Sequence, residues 1–193
     1  RHWRRLGAAL AALHRAPAPG GGAYGFDVDD FIGRLPQANG WMEDWPAFFA
    51  RRRLLPQIER ARAGGRWRKR WDAHAARLLA GIGGLLPARP RPSLLHGDLW
   101  SGNQLAGADG RAWLIDPAAY VGDREADLAM TELFGGFAPA FHDAYRAAWP
   151  IDPGYADRRA VYDLYHLLNH LNHFGGSYAA SVERTLARAA AAL

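Results

Sequence analysis

The sequence contains no cysteine, a single lysine and no long apolar run. The absence of cysteine excludes disulfides and thiolate zinc sites, and it favours an intracellular protein. No stretch of about 18 consecutive apolar residues is present, and the first residues, RHWRRLGAALAALHR, lack the long apolar core of a secretion signal. We therefore expect a cytoplasmic protein that does not interact with membranes.

The formal net charge is +5 at pH 7, with 24 basic and 19 acidic residues among 193. Positive charge raises the question of nucleic-acid binding, and the segment RWRKRW (66–71) interleaves basic residues with tryptophan. Almost every basic residue is arginine, however, and alanine is abundant. This pattern is better explained by the base composition of the gene than by selection for a groove that binds phosphates. We predict that the protein does not bind nucleic acid, because charge runs are usually solvated surfaces.

The apolar pattern predicts one mainly helical domain. Hydrophobic residues make up 49% of the chain, enough for a single core. Helices are predicted at about 3–15, 43–63, 66–80, 124–134, 138–148, 157–174 and 178–192. Pro56 predicts a kink or break in the second helix, the chain between the first helix and Asn39 is expected to be irregular, and a short strand is predicted at 93–96.

The segment LLHGDLWSGNQLAGADGRAWLIDP (94–117) predicts a β-hairpin. Two strand-like pieces, NQLAG and RAWLI, flank Asp109 and Gly110, which together are a two-residue turn signal. Counting outward from that turn places Asn103 directly opposite Asp116, with their Cβ atoms about 4.5 to 5.5 Å apart. An amide oxygen and a carboxylate at that separation suit Mg²⁺. The hairpin therefore predicts a magnesium site.

Asp98 lies five residues before Asn103, and D-L-x-x-x-N is the spacing of the catalytic loop of protein kinases. In that loop the Asp accepts the proton of the attacking hydroxyl, while metal ions hold the phosphates. Asp98 as the base, with Asn103 and Asp116 as metal ligands, would supply three parts of a phosphoryl-transfer site. The alternative is that these residues only form turns and caps, as single Asp and Asn residues often do.

Three motifs together resemble the fructosamine kinase (ketosamine 3-kinase) family, which is related to aminoglycoside and choline phosphotransferases. They are HGDLWSGN (96–103), IDPAAYVGDREADLAM (115–130) and LNHLNHFG (168–175), and the segment at 24–54 is similar as well. The resemblance implies an α+β, mainly helical fold: the C-terminal lobe of a protein-kinase-like (aminoglycoside phosphotransferase-like) fold, with a small β-hairpin at the catalytic site. It also implies ATP and Mg²⁺ as cofactors, and phosphorylation of a sugar hydroxyl on a small-molecule or protein-bound ketosamine, as in protein deglycation or related repair.

The same resemblance implies roles for further residues. Trp100 and His170 would face the sugar, with Asn169 beside them. Asp127 is expected to brace the catalytic loop through hydrogen bonds, since such acids orient the residues that do the chemistry. His96 is expected to be structural in the same way.

Three histidines, His166, His170 and His173, share one side of the predicted helix at 157–174. Such a set could bind zinc, but a zinc site also needs supporting residues and an open coordination position. We therefore expect contacts with the core or the substrate in preference to zinc.

The chain departs from the kinase pattern in one respect. A kinase of this type holds the phosphates with a lysine on a strand of its small lobe, and Lys69 has no apolar strand around it. We therefore expect residues 1–193 to form a single domain, the large C-terminal lobe without the N-terminal nucleotide-binding lobe, which would be inactive alone.

Two alternative functions remain. An aminoglycoside or other aminoalcohol phosphotransferase would explain the spacing of Asp98 and Asn103, but it leaves LNHLNHFG (168–175) unexplained. A noncatalytic remnant that binds sugars, or a partner, without transferring phosphate would explain the absence of the small lobe.

Overall fold

The computed structural model describes residues 1–108 and 111–193, and helices dominate this part of the chain. The α-helices are α1 (His2–Arg15), α2 (Trp45–Phe48), α3 (Leu55–Ala63), α4 (Asp72–Leu85), α5 (Glu125–Leu133), α6 (Pro139–Ala148), α7 (Tyr155–Phe174) and α8 (Ala179–Ala191). The strands are β1 (Asp30–Ile32), β2 (Leu35–Gln37), β3 (Ser93–Leu95), β4 (Gln104–Ala106), β5 (Ala112–Leu114) and β6 (Tyr120–Gly122). The mainly helical architecture predicted from the sequence is confirmed.

The predicted helices are present, with one shifted along the chain. The helix predicted at 66–80 starts as a 3₁₀ turn, Lys69–Trp71, and continues as α4 to Leu85. The strand predicted at 93–96 is confirmed as β3. In the described ranges, no helix has both the length and the apolar character needed to cross a bilayer.

Of the kink or break predicted at Pro56, the break does not occur, because the helical path continues from Trp45 to Ala63, but the regular α-helical bonding is interrupted just before this proline. Between α2 and α3 the path runs through a π-helical segment, Phe49–Leu54. The amide of Leu55 donates to the carbonyl of Ala50, five residues earlier. Proline lacks an amide hydrogen and clashes with the carbonyl four residues before it, and a wider π turn directly ahead of it accommodates both effects within one helix.

The chain before Asn39 was expected to be irregular, and this prediction is wrong for residues 30–37. They form an antiparallel hairpin of β1 and β2, in which Asp30 lies opposite Gln37. Gly33 lies in the turn with φ +61°, a conformation that glycine adopts without a steric penalty. Two strands of three residues carry too little alternation to be recognised from the sequence.

The hairpin of β4 and β5 has a different register from the one predicted. Its pairs are Gln104 with Leu114, Leu105 with Trp113, and Ala106 with Ala112. Asn103 consequently lies opposite Ile115, whose amide donates to the Asn103 carbonyl at 3.0 Å. The predicted direct pairing of Asn103 with Asp116 is therefore wrong by one residue.

The register of β4 and β5 differs from the prediction because the connection between the two strands is longer than the predicted two residues. The Gly107 amide donates to the Arg111 carbonyl at 2.8 Å, so three residues, not two, separate the last bonded pair. The predicted two-residue turn of Asp109 and Gly110 itself lies outside the described residues.

Strands β3 and β6 pair antiparallel and bring two distant loops together. Residues 96–103 follow β3, and residues 115–119 precede β6. The Ala118 amide donates to the His96 carbonyl at 2.9 Å, which joins the two loops just beyond the paired strands. This pairing places Asp98 and Asp116 on the same side of the molecule.

The buried core consists of two clusters. The larger one surrounds α7 and includes Trp45, Trp71 and Leu168, each 1% exposed or less. The smaller one lies between α1 and α6 and includes Leu10 and Phe141. Leu99, the residue after Asp98, is 1% exposed and belongs to the smaller cluster, so the loop that carries Asp98 is anchored in the core.

Candidate active site

A cleft of about 650 Å³ brings most of the predicted site residues together. Its lining includes the predicted base Asp98, the predicted metal ligands Asn103 and Asp116, and the predicted substrate contacts Trp100, Asn169 and His170. His96 and Asp127 do not line it and are buried. The residues that line the cleft can therefore contact a ligand, whereas His96 and Asp127 can act only through the residues that they hold in place.

Asp98 is half-buried in the loop after β3, and its position depends on the glycine before it. Gly97 has φ +81°, and a Cβ atom there would lie 1.9 Å from the Ala118 carbonyl oxygen. Burial raises the pKa of Asp98 to about 6, and the nearby acids Asp127 and Asp116 add to this rise. A carboxylate with a raised pKa is a stronger base, which suits proton abstraction.

Asn103 connects the loop of Asp98 with that of Asp116. Its amide nitrogen donates to the Asp98 backbone carbonyl at 2.9 Å and lies 3.3 Å from the Asp98 carboxylate. The same nitrogen lies 3.5 Å from the Asp116 carbonyl oxygen. Because the nitrogen is turned toward these oxygens, the amide oxygen is the atom left to bind a cation.

Asp116 has φ +51°, the single positive φ at a non-glycine residue in the described ranges. The left-handed region is unfavourable for most side chains, although Asp tolerates it better than most. Strained backbone of this kind clusters at functional sites. Asp98, Asn103 and Asp116 therefore meet in the cleft without the predicted strand register, and their roles stay predictions.

His96 is held in one tautomer between the two loops. Its Nε2 donates to the Ile115 carbonyl at 2.9 Å, and its Nδ1 accepts from the Asp98 amide at 3.3 Å. A neutral ring with the proton on Nε2 satisfies both bonds. These contacts are the ones that a structural role would require.

Asp127 accepts two backbone hydrogen bonds from the loop that follows β3. The His96 amide donates at 2.7 Å and the Gly97 amide at 2.9 Å. His14 Nε2 lies 3.2 Å from the same carboxylate, and His14 Nδ1 lies 2.9 Å from the Tyr145 hydroxyl. Burial acts to raise the pKa of Asp127, but the hydrogen bond and charge of His14, with the hydrogen bond from the His96 amide, hold it below its usual value. The sequence motifs did not point to His14 or Tyr145, because both residues lie far from Asp127 along the chain.

We expect His14→Phe to lower the free energy of unfolding by roughly 3 kcal/mol, because it leaves the buried Asp127 charge without its side-chain donor. Tyr145→Phe removes one hydrogen bond and should cost only about 1 kcal/mol. Urea denaturation of the two variants beside the wild-type chain measures both values. Equal stability of His14→Phe and the wild type would contradict this account of the support beneath the loop.

Trp100 and His170 offer aromatic surface to the cleft. Trp100 is 42% exposed, and its ring lies so close to Gly102 that a Cβ atom there would be 2.2 Å from it. His170 packs against Phe134 and Tyr178, with ring centroids 4.6 and 5.0 Å away. His170 Nδ1 donates to the His166 carbonyl at 2.9 Å, which leaves Nε2 of the neutral ring to meet a ligand.

The three histidines of α7 have different surroundings. His166 is buried, does not line the cleft, and burial lowers its pKa to about 3. His173 lines the cleft, but its Nδ1 donates to the Asn169 carbonyl and its Nε2 accepts from the Arg34 amide. In residues 1–108 and 111–193, no group of three His, Cys, Asp or Glu side chains is arranged to hold a metal ion.

Several lining residues were not predicted. They are Asp30, Phe31 and Gly33 from the β1–β2 hairpin, Pro117 and Ala118 from the loop before β6, and Phe174 from the end of α7. The one sequence signal for the hairpin was the run of acidic residues around Phe31 in FDVDDFIG. Acidic runs usually face solvent, so that signal did not indicate a cleft.

The residues present fit a magnesium ion. Asp116 supplies a carboxylate and Asn103 an amide oxygen, which are hard oxygen donors, and Mg²⁺ commonly takes one or two carboxylate ligands and completes its shell with water and phosphate oxygens. Both residues line the same cleft, which is where such an ion would have to bind.

Comparison with known proteins identifies the family. A family model described as fructosamine kinase matches residues 1–192. A protein named as a probable ketoamine kinase in Synechocystis sp. is 46% identical over 188 residues, which are 95% of this chain and 61% of that protein. The ketosamine-3-kinase of Mus musculus is 39% identical over 163 residues, 82% of this chain and 51% of that protein. The chain thus spans about three fifths of the length of the first of these relatives.

Solved structures agree with this grouping. A candidate fructosamine-3-kinase from Thermobifida fusca is 36% identical and superposes with a TM-score of 0.90 over 97% of this chain and 64% of that one. A choline kinase from Streptococcus pneumoniae is only 15% identical but has a TM-score of 0.63 over 98% of this chain and 63% of its own; it shows that the kinase-like fold is shared. The resemblance found in the sequence motifs is therefore confirmed, and the chain belongs to the fructosamine kinase family.

Proposed function

We propose that this chain is the larger lobe of an ATP- and Mg²⁺-dependent kinase that phosphorylates a sugar hydroxyl of a ketosamine. The observation that carries the proposal is the meeting of Asp98, Asn103 and Asp116 in one cleft, beside Trp100 and His170. Phosphoryl transfer needs mainly positioning and neutralisation of charge, and these residues are suited to both.

Asp98 is assigned the role of base. Its carboxylate would accept the proton of the sugar hydroxyl as that oxygen attacks the γ-phosphorus of ATP, with ADP as the leaving group. The hydrogen bonds from Asn103 fix the orientation of Asp98. Asn103 and Asp116 would hold Mg²⁺, which supplies neutralisation of the phosphate charge when bound.

The substrate would bind against Trp100 and His170. The indole ring offers a flat apolar face to the sugar, while His170 Nε2 can accept a hydrogen bond from a hydroxyl group. Asn169 lines the same cleft and would add a polar contact. The roles of all three residues are part of the proposal.

The proposal includes a second lobe that binds the nucleotide. Lys69 is exposed in a 3₁₀ turn and does not line the cleft, so it is not placed to hold phosphates there. This chain matches only 61% of the Synechocystis relative, and the unmatched part of that protein is long enough to form such a lobe. A cytoplasmic location stays a prediction.

Residues 1–193 alone are therefore expected to bind Mg·ATP very weakly and to transfer no measurable phosphate. Calorimetric titration with Mg·ATP, and an assay of ADP release in the presence of a fructosyl amine, measure both properties. A protein extended by the proposed nucleotide lobe should release ADP only when the fructosyl amine is added. Tight Mg·ATP binding or ADP release by residues 1–193 would overturn the proposal that this lobe is incomplete.

The same extended protein tests the substrate. We expect a phosphate ester on the sugar of the fructosyl amine, detected by mass spectrometry and ³¹P NMR. An aminoglycoside and choline serve as competing acceptors under the same conditions. Phosphorylation of either of these in place of the fructosyl amine would favour an aminoalcohol kinase, and binding of sugar without any transfer would favour a noncatalytic protein.

A further inference from the structure

The lining of the cleft has a marked charge asymmetry. It contains three carboxylates, Asp30, Asp98 and Asp116, and no lysine or arginine among the described residues. Two of these acids have tasks in the proposed function, as the base and as a metal ligand. Asp30 has none there, so its charge needs a separate explanation.

The Asp30 carboxylate is held in a defined orientation. Asp30 lies directly opposite Gln37 in the β1–β2 pair, and Gln37 Nε2 donates to Asp30 Oδ1 at 2.9 Å. Gln37 is itself buried, and its orientation is fixed, because its nitrogen also donates to the Ala118 carbonyl at 3.1 Å and its oxygen accepts from the Tyr165 hydroxyl. A carboxylate fixed in this way loses little conformational freedom when it binds a ligand.

The charge of Asp30 is not compensated by an ion pair in residues 1–108 and 111–193. Arg53 contributes to its electrostatic surroundings, but the Arg53 guanidinium donates to the Ala38 carbonyl and to Asn39 Oδ1, both at 2.7 Å, and lies 3.9 Å from the centre of the Tyr120 ring. Burial raises the pKa of Asp30 above its usual value. A bound cation would offset the cost of burying this charge.

The other surfaces of the cleft also favour a cation. Phe31 and Phe174 are 63% and 64% exposed, and Trp100 adds an indole face. Aromatic faces attract ammonium groups through their negative quadrupole. Asn169, only 6% exposed, lines the cleft with an amide whose oxygen has no hydrogen-bond partner in the described ranges, so this amide can turn toward a donor.

We propose that Asp30 binds the protonated amine of the substrate and thereby selects cationic ketosamines over neutral sugars. This inference rests on the proposed function and names the group of the substrate that the β1–β2 hairpin recognises. The sugar would then lie between the aromatic face of Trp100 and the base Asp98, with its amine directed toward the hairpin. Hydrogen bonds that involve a charged group are about twice as strong as neutral ones, which makes this contact a source of selectivity.

The test compares Asp30→Asn with Asp29→Asn in the complete enzyme. Asn at position 30 keeps an oxygen that can accept from Gln37, so the variant removes the charge and not the hydrogen bond. Asp29 is the adjacent residue, is exposed and does not line the cleft, and its replacement removes the same charge. A fructosyl amine and its N-acetylated counterpart, which carries no charge, are the two probes.

For Asp30→Asn we expect kcat/KM for the fructosyl amine to fall about 10-fold or more, mainly through a higher KM, as is typical for loss of a charged hydrogen bond. The acetylated probe should be affected less than 2-fold, and Asp29→Asn should resemble the wild type with both probes. Because each ratio is taken between variants, the added bulk of the acetyl group cancels.

Two results would overturn the assignment. An unchanged preference for the charged probe in Asp30→Asn, in an enzyme that does phosphorylate the fructosyl amine, would refute the role of Asp30 and leave the proposed function intact. If the wild-type enzyme phosphorylates neither probe, the proposed function and this inference both fail. Thermal unfolding of each variant confirms that a lower rate does not arise from loss of the folded state.

Discussion

Replacing Asp98 with Asn in the complete kinase should lower kcat by about 10²- to 10⁴-fold, the usual contribution of a positioned general base. Asn has nearly the same shape and still offers an oxygen to Asn103, but it cannot take up the proton of the sugar hydroxyl. Burial raises the pKa of Asp98 to about 6 in this chain, so the group lost is a stronger base than an exposed carboxylate. Steady-state kinetics with a fructosyl amine, at saturating Mg·ATP, measure the change.

The Asp98→Asn substitution should lower kcat without changing nucleotide binding or stability. Binding of Mg·ATP, followed by calorimetry, and thermal unfolding are expected to match the wild type. Asp143→Asn removes an exposed acid outside the cleft and serves as the matched control, with unchanged kcat. Near wild-type turnover in Asp98→Asn would remove this residue from the role of base.

Local patterns in the sequence predicted much of this site. The spacing of Asp98 and Asn103 lies within a single loop, so a count of five residues was enough to bring them together. The long helices were predicted for a similar reason, because α7 has apolar residues at helical spacing over 20 residues. Features that depend on residues close together in the chain can therefore be predicted from the order of those residues.

The missed features depend on contacts between distant residues. The register of β4 and β5 differs from the prediction by one residue, and Asn103 still reaches the Asp116 loop because β3 pairs with β6. The bond from His14 to Asp127 joins residues 113 positions apart. The side chain of Asp30 lines the cleft through a hairpin whose strands are three residues long. No periodicity in the sequence reports such contacts.

Asp116→Gly should weaken Mg²⁺-dependent nucleotide binding and lower kcat by about 10²-fold or more, because charge neutralisation by a metal is worth several kcal/mol in the transition state. Glycine is the informative replacement, since the backbone of Asp116 has φ +51° and glycine adopts that region without strain. Alanine would confound loss of the carboxylate with a backbone penalty of about 1 to 2 kcal/mol. The measurement is a Mg²⁺ titration of activity and of ATP binding.

The glycine variant separates the two roles of this position. Its free energy of unfolding should equal or exceed that of the wild type, as the strain is relieved, while its Mg²⁺ dependence moves to higher concentration. Asp116→Asn, which tolerates the same φ and keeps one oxygen, should lie between the glycine variant and the wild type. Superimposable Mg²⁺ titrations for the wild type and the glycine variant would show that the Asp116 carboxylate does not hold the metal, and that its strained backbone serves the loop alone.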